Sequence, residues 1–168
     1  MKAIVAVDEN WGIGCDNELL YSIPEDMKFF KDVTVNKVVV MGHSTFKSLP
    51  GSRPLKNRTN IILSKDENLN IDSAIVCNSI DKLLSTIEMY DKNDVFLIGG
   101  QGIYKQLLEF CSEIYVTKIN GNKKADSYFP NVDLMDNWTV SDISEMKSYN
   151  DIQYCFYKYK NDRPKNII

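Results

Sequence analysis

Val95-Phe96-Leu97-Ile98-Gly99-Gly100-Gln101-Gly102-Ile103-Tyr104 carries two signals that decide the fold, an unbroken apolar run and a glycine turn opening into a helix. A strand with one wet face alternates apolar and polar residues, whereas a continuous Val/Phe/Leu/Ile run suits a strand covered on both faces, as inside a parallel sheet. Val38-Val39-Val40-Met41 is a second such run, so both are expected to be central strands. Working outward, strand-like stretches at 3–8, 37–42, 59–64, 74–77, 94–98 and 113–119 alternate with helical patterns at 24–33, 43–49, 79–90 and 101–109. That alternation is the mark of α/β crossover units. After residue 130 the pattern changes, with strand-like 138–143 and 152–159 flanking a polar turn, Ser148-Tyr149-Asn150-Asp151, which predicts an antiparallel hairpin. The expected architecture is α/β in three layers: a mixed, mostly parallel sheet of about eight strands with a C-terminal antiparallel hairpin, flanked by about four helices.

A chain of 168 residues, 43% hydrophobic and 26% charged, fits one domain spanning 1–168. Its net charge of −3 argues against a nucleic-acid binder, which needs a clustered basic face. The interrupted basic residues from Lys158 to Lys165 read as solvated. No apolar run approaches the roughly 20 residues of a membrane span. Met1-Lys2 leads straight into Ala3-Ile4-Val5-Ala6-Val7 without a signal-peptide pattern, so a cytoplasmic protein is expected. Cys15, Cys77, Cys111 and Cys155 are dispersed and read as reduced thiols, with no metal site expected. The single histidine, His43, excludes a His-based metal cluster and leaves one position for a Ser-His-Asp or Cys-His arrangement, which favours chemistry carried by a cofactor.

Within Ile23-Pro24-Glu25-Asp26-Met27-Lys28-Phe29-Phe30-Lys31, Pro24 opens a helix and Asp26 falls in its first turn. Helical spacing puts Ile23, Met27 and Phe30 on one apolar face, with Asp26 beside it and Glu25 turned to water. Two readings of Asp26 stand at this point: a surface complement to the helix dipole, at about 0.3–1 kcal/mol, or an acid held against apolar groups for chemistry. Three long connections are functional loops or plain linkers: Asp8 to Ile23 with an exposed Trp11, the turn-rich Pro50 to Arg58, and the polar Asn120 to Pro130. The glycines after Ile98 make either a tight turn or an anion cradle, and they are not the Rossmann fingerprint, whose third glycine would fall at Lys105. Ser44 and Thr45 after Gly42 could bind phosphate or cap a helix. Leu63-Ser64-Lys65 gives a third polar strand end, and such ends along one sheet edge are where open α/β folds bind ligands.

These segments, in this order and spacing, resemble the dihydrofolate reductase family of the bacterial monofunctional type. The likeness runs from Ala3 to about Phe156. It rests on Ile4-Val5-Ala6 with Gly12-Ile13-Gly14, Ile23-Pro24-x-Asp26 with Phe29-Phe30-Lys31, and Met41-Gly42-x-x-Thr45. Arg58-x-Asn60-Ile61-Ile62-Leu63-Ser64, Ile98-Gly99-Gly100, Tyr115-Val116-Thr117 and Asp126-x-x-Phe129-Pro130 complete it. The resemblance implies an NADPH-dependent oxidoreductase of one-carbon metabolism that reduces 7,8-dihydrofolate to tetrahydrofolate, with a proton added at N5.

It implies further that Asp26 accepts hydrogen bonds from the pteridine 2-amino and N3 groups, that Thr117 steadies this carboxylate, and that water near Leu19 and Tyr21 completes proton transfer. Ile4, Val5 and Ile98 would line the pteridine pocket. Met27, Phe30, Leu49 and Leu55 would hold the aminobenzoyl ring, and Arg58 would grip the glutamate α-carboxylate. NADPH would lie against Ala6, Ile13, Gly14, Asn17 and Leu19, along Gly42, His43, Ser44 and Thr45, at Leu63, Ser64 and Lys65, and over Ile98, a cis Gly99-Gly100 bond, Gln101, Gly102, Ile103 and Tyr104. The implied partners are dihydrofolate and folate-like inhibitors, on a monomer. His43 stands where many relatives have an arginine and Gly102 where some have another, and Lys65 is the cation able to restore charge for the 2′-phosphate. Tyr21 replaces a usual tryptophan, and Leu19-Leu20 departs from the commoner Met-Pro or Leu-Pro. Two other functions fit this architecture: a pyrimidine reductase of flavin biosynthesis, opposed by Asp26 with Arg58, and a nucleotide-binding module without turnover, opposed by Asp26 with Thr117.

Overall fold

Val38 and Val40 pack into one buried apolar cluster with Ile61, Val95, Leu97, Ile103 and Leu107, while Val39 and Met41 pack into another with Phe46 and Ile62. Successive side chains of one strand thus enter opposite cores, and that is why the run carries no polar alternation. The computed structural model describes residues 1–167. Its first half runs β1 (Lys2–Val7), β2 (Gly12–Cys15), β3 (Glu18–Leu19), α1 (Pro24–Thr34), β4 (Val38–Gly42), α2 (His43–Ser48), β5 (Thr59–Leu63), β6 (Ala74–Cys77) and α3 (Ile80–Ile87). Then follow β7 (Val95–Gly99), α4 (Gln101–Leu107), β8 (Glu113–Ile119), β9 (Ser127–Tyr128), β10 (Trp138–Ile143), β11 (Lys147–Tyr149) and β12 (Ile152–Asn161).

The main sheet has the order β10-β12-β8-β1-β7-β4-β5-β6, with β11 also paired to β12. From β8 to β6 all neighbours are parallel, and β12 joins β8 antiparallel. The C-terminal edge is more broken than the expected simple hairpin. Asn150 and Asp151, both at positive φ, turn β11 directly into β12, and β10 pairs with the far half of the same strand. Between the two, Ser144 donates its N–H to the Phe156 carbonyl at 2.8 Å and accepts from the Phe156 N–H through its hydroxyl at 2.9 Å. The register also slips between Val140 and Asp142, an irregularity suited to an exposed edge.

Two segments expected as loops pair with each other instead. β2, β3 and β9 form a separate three-stranded sheet that joins residues 12–19 to residues 127–128. Trp11 is buried rather than exposed, its ring 6.2 Å from that of Phe129 and 5.0 Å from the Lys118 ammonium. Three of the four basic C-terminal residues are paired as well as solvated: Lys158 with Glu113 at 3.0 Å, Arg163 with Asp136 at 2.9 Å and Lys165 with Glu109 at 2.6 Å. Among the described residues no helix is long and apolar enough to cross a membrane, and all four cysteines are unpaired.

Candidate active site

Asp26 lies within the covered stripe of α1. The shielded positions of that helix are Asp26, Phe29, Phe30, Val33 and Thr34, spaced i, i+3, i+4, i+7, i+8. Phe29 packs on Phe156 and Tyr115 with centroids 4.7 and 6.0 Å away. The expected stripe of Ile23, Met27 and Phe30 is therefore corrected, since Met27 is 47% exposed. Ile23 is buried, but it caps the helix with extended backbone, so helical spacing counted from it misplaces the face.

The Thr117 hydroxyl, buried on β8, donates to Asp26 Oδ1 at 2.5 Å. Burial pushes the Asp26 carboxyl above its ordinary range, and the Thr117 hydrogen bond pulls it back only in part. Glu25 does not simply face water: it accepts from the Tyr154 hydroxyl at 2.5 Å and from the Lys147 ammonium at 2.9 Å. Ala6 lies opposite Thr117 in the β1–β8 register and packs with Tyr21 and Phe156 against Ile23, Ile119 and Tyr154. Ile4 and Val5 are buried beside it on β1, and the Ile4 carbonyl accepts from the buried Tyr104 hydroxyl at 2.8 Å.

Leu49, Leu55 and Ile98 pack together on the Val39–Met41–Phe46–Ile62 cluster. Asn60 shapes the loop that carries Leu55, accepting from the Leu55 N–H and donating to the Leu55 carbonyl, both at 2.9 Å. Arg58 joins that loop to α1. Its Nε donates to Thr34 Oγ1 at 3.1 Å, Nη1 to the Lys56 carbonyl at 2.8 Å and Nη2 to the Lys31 carbonyl at 3.4 Å.

Three strand ends stand level in register, Met41 opposite Gly99 and Gly42 opposite Leu63. Past that row emerge Gly100 to Gly102, His43 to Thr45, and Ser64 with Lys65. The Gly99-Gly100 bond is cis. A Cβ on Gly100 would come within 3.1 Å of Thr45 Oγ1, and one on Gly99 within 3.5 Å of the Tyr104 hydroxyl, so side chains would fill the junction. Ser64 is buried and its Oγ accepts from the Asp66 N–H at 3.2 Å, which leaves its own O–H to donate outward. Ser44 and Lys65 are exposed, as is Gly102, while Ile103 is buried. Half-buried His43 lies with its ring 6.4 Å from Phe46, and Gln101 accepts from the Tyr128 N–H at 2.7 Å. Hydroxyls, an ammonium and glycine backbone at one edge form a donor set that fits a phosphorylated dinucleotide.

A narrow cavity lined by Ala6, Ile13, Leu19, Tyr21 and Ile119 lies between β1, the end of β8 and the cover segment of residues 12–21. Leu19 is 64% exposed and Asn17 is exposed in a turn. Gly14 accepts from the Asp126 N–H at 3.0 Å, and Asp126 Oδ2 accepts from the Asp16 N–H at 2.9 Å. Sequence reasoning missed Gly121 and Lys123. Lys123 donates to the Leu20 carbonyl at 2.8 Å and stands 4.4 Å from the Tyr21 ring centroid, while a Cβ on Gly121 would lie 2.1 Å from the Tyr21 hydroxyl. A lysine in a polar loop carries no local signal of such a role, whereas the glycine beside Asn120 was a visible hint of close packing.

Sheet, glycine-turned edge and hydroxyl-held carboxylate define an α/β oxidoreductase with a nucleotide edge. The chain belongs to the dihydrofolate reductase family, whose family model matches residues 1–161. It is similar to the dihydrofolate reductase of Buchnera aphidicola subsp. Schizaphis graminum, 38% identical over 159 residues that span 93% of this chain and 96% of that protein. The Staphylococcus haemolyticus dihydrofolate reductase is 32% identical over 165 residues, 97% of this chain and 96% of the relative. Among solved structures, dihydrofolate reductase from Enterococcus faecalis complexed with NADP(H) and RAB-propyl matches with a TM-score of 0.84 at 28% identity, over 96% of this chain and 95% of that one.

Proposed function

We propose that Asp26 orients the substrate in the NADPH-dependent reduction of 7,8-dihydrofolate to 5,6,7,8-tetrahydrofolate, the reaction this family member catalyses. The observation that carries the reading is the Asp26–Thr117 pair: a carboxylate raised by burial and held by a neutral hydroxyl has acceptor capacity left for a planar donor. Asp26 takes the pteridine 2-amino and N3 hydrogens, with Ile4, Val5 and Ile98 around the ring. Met27, Phe30, Leu49 and Leu55 form the apolar channel for the aminobenzoyl group, and Arg58 takes the glutamate α-carboxylate. The exposure of Met27 suits a side chain whose partner is a ligand.

NADPH, when bound, supplies the hydride. Ser44, Thr45, Ser64, Lys65 and the glycine turn at 99–102 would hold its phosphates, and Ala6, Ile13, Gly14, Asn17, Leu19 and Tyr104 would bound its nicotinamide half. A water admitted beside Leu19 and Tyr21 hands the proton to N5. The protein is read as a monomer working in the cytoplasm, in keeping with four dispersed cysteines that stand as free thiols.

NADPH absorbance is expected to fall only when dihydrofolate is added, and a binding module would leave it unchanged. A raised carboxyl keeps its proton to higher pH than free aspartate, and the site loses that proton as pH climbs through its range. The isolated hydride step should therefore slow from mildly acid to alkaline pH, and a flat profile would count against the role given to Asp26. Lys65→Met is expected to raise KM for NADPH about tenfold, the worth of one charge-assisted hydrogen bond, and to leave KM for NADH nearly unchanged. Equal rises for both cofactors would remove Lys65 from the 2′-phosphate.

A further inference from the structure

We infer that Glu25, gripped by Tyr154 and Lys147, is a positioning residue for Asp26: it fixes the roll of the first turn of α1 and thereby the direction in which the next carboxylate faces. The inference rests on the substrate-orienting role of Asp26 proposed above. Its basis is the register of three adjacent strands. Lys147 of β11 pairs with Tyr154 of β12, which pairs with Ile119 of β8; two residues along, Phe156 of β12 pairs with Thr117 of β8. Residues two apart share a face of the sheet. Lys147, Tyr154, Phe156, Ile119 and Thr117 therefore form one platform, and α1 begins above it.

From that platform two hydroxyls reach two consecutive carboxylates, Thr117 to Asp26 and Tyr154 to Glu25, each at 2.5 Å. Consecutive helical residues point about 100° apart. A helix pinned at one of them can still roll about the pin, and one pinned at both cannot. Among the described residues the first turn has no other side-chain anchor at its start, because Ile23, its cap, offers no hydrogen-bonding side chain. An exposed Lys147–Glu25 ion pair alone would be worth little. Tyr154, however, is 2% exposed, meets Phe156 edge to face at 5.8 Å and sits where β12 is paired on both sides, with β11 and with β8, so its hydroxyl is a rigid post.

The charged and titratable groups around the mount are Lys147 and its neighbour Glu145, Tyr154, and Asp26 itself; on α1 Lys28 pairs one turn on with Asp32, and Thr117 on β8 is neutral. Loss of the mount lets Asp26 roll toward water, so the pH midpoint of the hydride step moves toward acid.

Tyr154→Phe keeps the ring and removes the post. It is expected to raise KM for dihydrofolate about tenfold, to leave KM for NADPH unchanged and to shift the pH profile to lower pH. Glu25→Ala should do the same, Glu25→Gln should restore most of the loss, and the double variant Glu25→Ala with Tyr154→Phe should be no worse than either alone. Wild-type KM and pH profile in Glu25→Ala and Tyr154→Phe would overturn the inference, as would equal rises in both Michaelis constants; if Tyr154→Phe fails to fold, surface-exposed Glu25→Ala decides alone. Asp26→Asn separates the two levels: if it is harmless, the role of Asp26 fails, and if it is severe while the Glu25 variants behave as wild type, only the mount fails.

Discussion

Asp26→Asn is expected to cut turnover with dihydrofolate by about a hundredfold or more near neutral pH, the scale on which loss of one preorganised charged partner is felt, while the ligand-free protein keeps or gains thermal stability. Both halves come from the same atoms. The amide is nearly isosteric, and its oxygen can still accept from the Thr117 hydroxyl that now serves Asp26 Oδ1. Its nitrogen, however, brings two donors to a place where the pteridine also presents donors, so one hydrogen bond becomes a clash of like groups and the other loses its charge assistance. The stability half follows from the raised carboxyl. The folded state binds the Asp26 proton more tightly than the unfolded chain does, so the ionised carboxylate weakens the fold as pH rises through the native value. Asparagine has no such titration. The melting temperature at neutral pH should hold or rise, and its decline from acid to neutral pH should flatten. Such an exchange of stability for function is common at sites built around a strained charge. Undiminished turnover would remove Asp26 from the reaction, and a clear drop in melting temperature would mean that its charge supports the fold.

How far the sequence could be read depended on whether a signal was local. β6 and β8 fall at the expected residues because each is a contiguous run whose pattern reports its own burial. α3 is shorter than the helical pattern because Ser79 caps it, accepting from the Lys82 N–H at 3.2 Å, and its last turn loosens after Ile87. What failed was long-range. Gly12 pairs with Tyr128 across a gap that strands of four and two residues cannot announce by periodicity, so segments expected as free connections proved to brace each other. Glu25 and Asp26 make the same point within the site. They are neighbours of identical chemistry, and local spacing sent one to water and the other beside an apolar face. The structure gives each a hydroxyl from a different strand, a fact fixed by the β8–β12 register rather than by anything in the helix. The resemblance to a known family implied the Thr117 contact, and nothing in the sequence implied that of Tyr154.

Arg58→Lys should raise KM for dihydrofolate by about thirtyfold or more and change kcat far less, even though charge is conserved. A guanidinium has five N–H donors. Three are engaged within the chain, Nε with Thr34, Nη1 with the Lys56 carbonyl and Nη2 with the Lys31 carbonyl, which leaves one hydrogen on each terminal nitrogen. In the role proposed for Arg58, those two would meet the substrate carboxylate, with the side chain held in place by the other three. Partial burial already disfavours the guanidinium charge and holds its pKa below the usual arginine value, so an incoming anion relieves a cost that is present before binding. Lysine has three donors on a flexible stem. To reach the ligand it would abandon the Lys31 and Lys56 carbonyls, and to keep them it would offer the ligand no matched pair. The expected loss is that of a bidentate, charge-assisted contact, about 2–3 kcal/mol. Because the contact is remote from the pteridine, substrate and transition state feel it equally, which is why KM rises and kcat holds. A pteridine substrate without the glutamate tail provides the control: the lysine variant should handle it as well as the native chain does. If instead both substrates lose equally, Arg58 serves the joint between loop and helix and takes no part in gripping the tail.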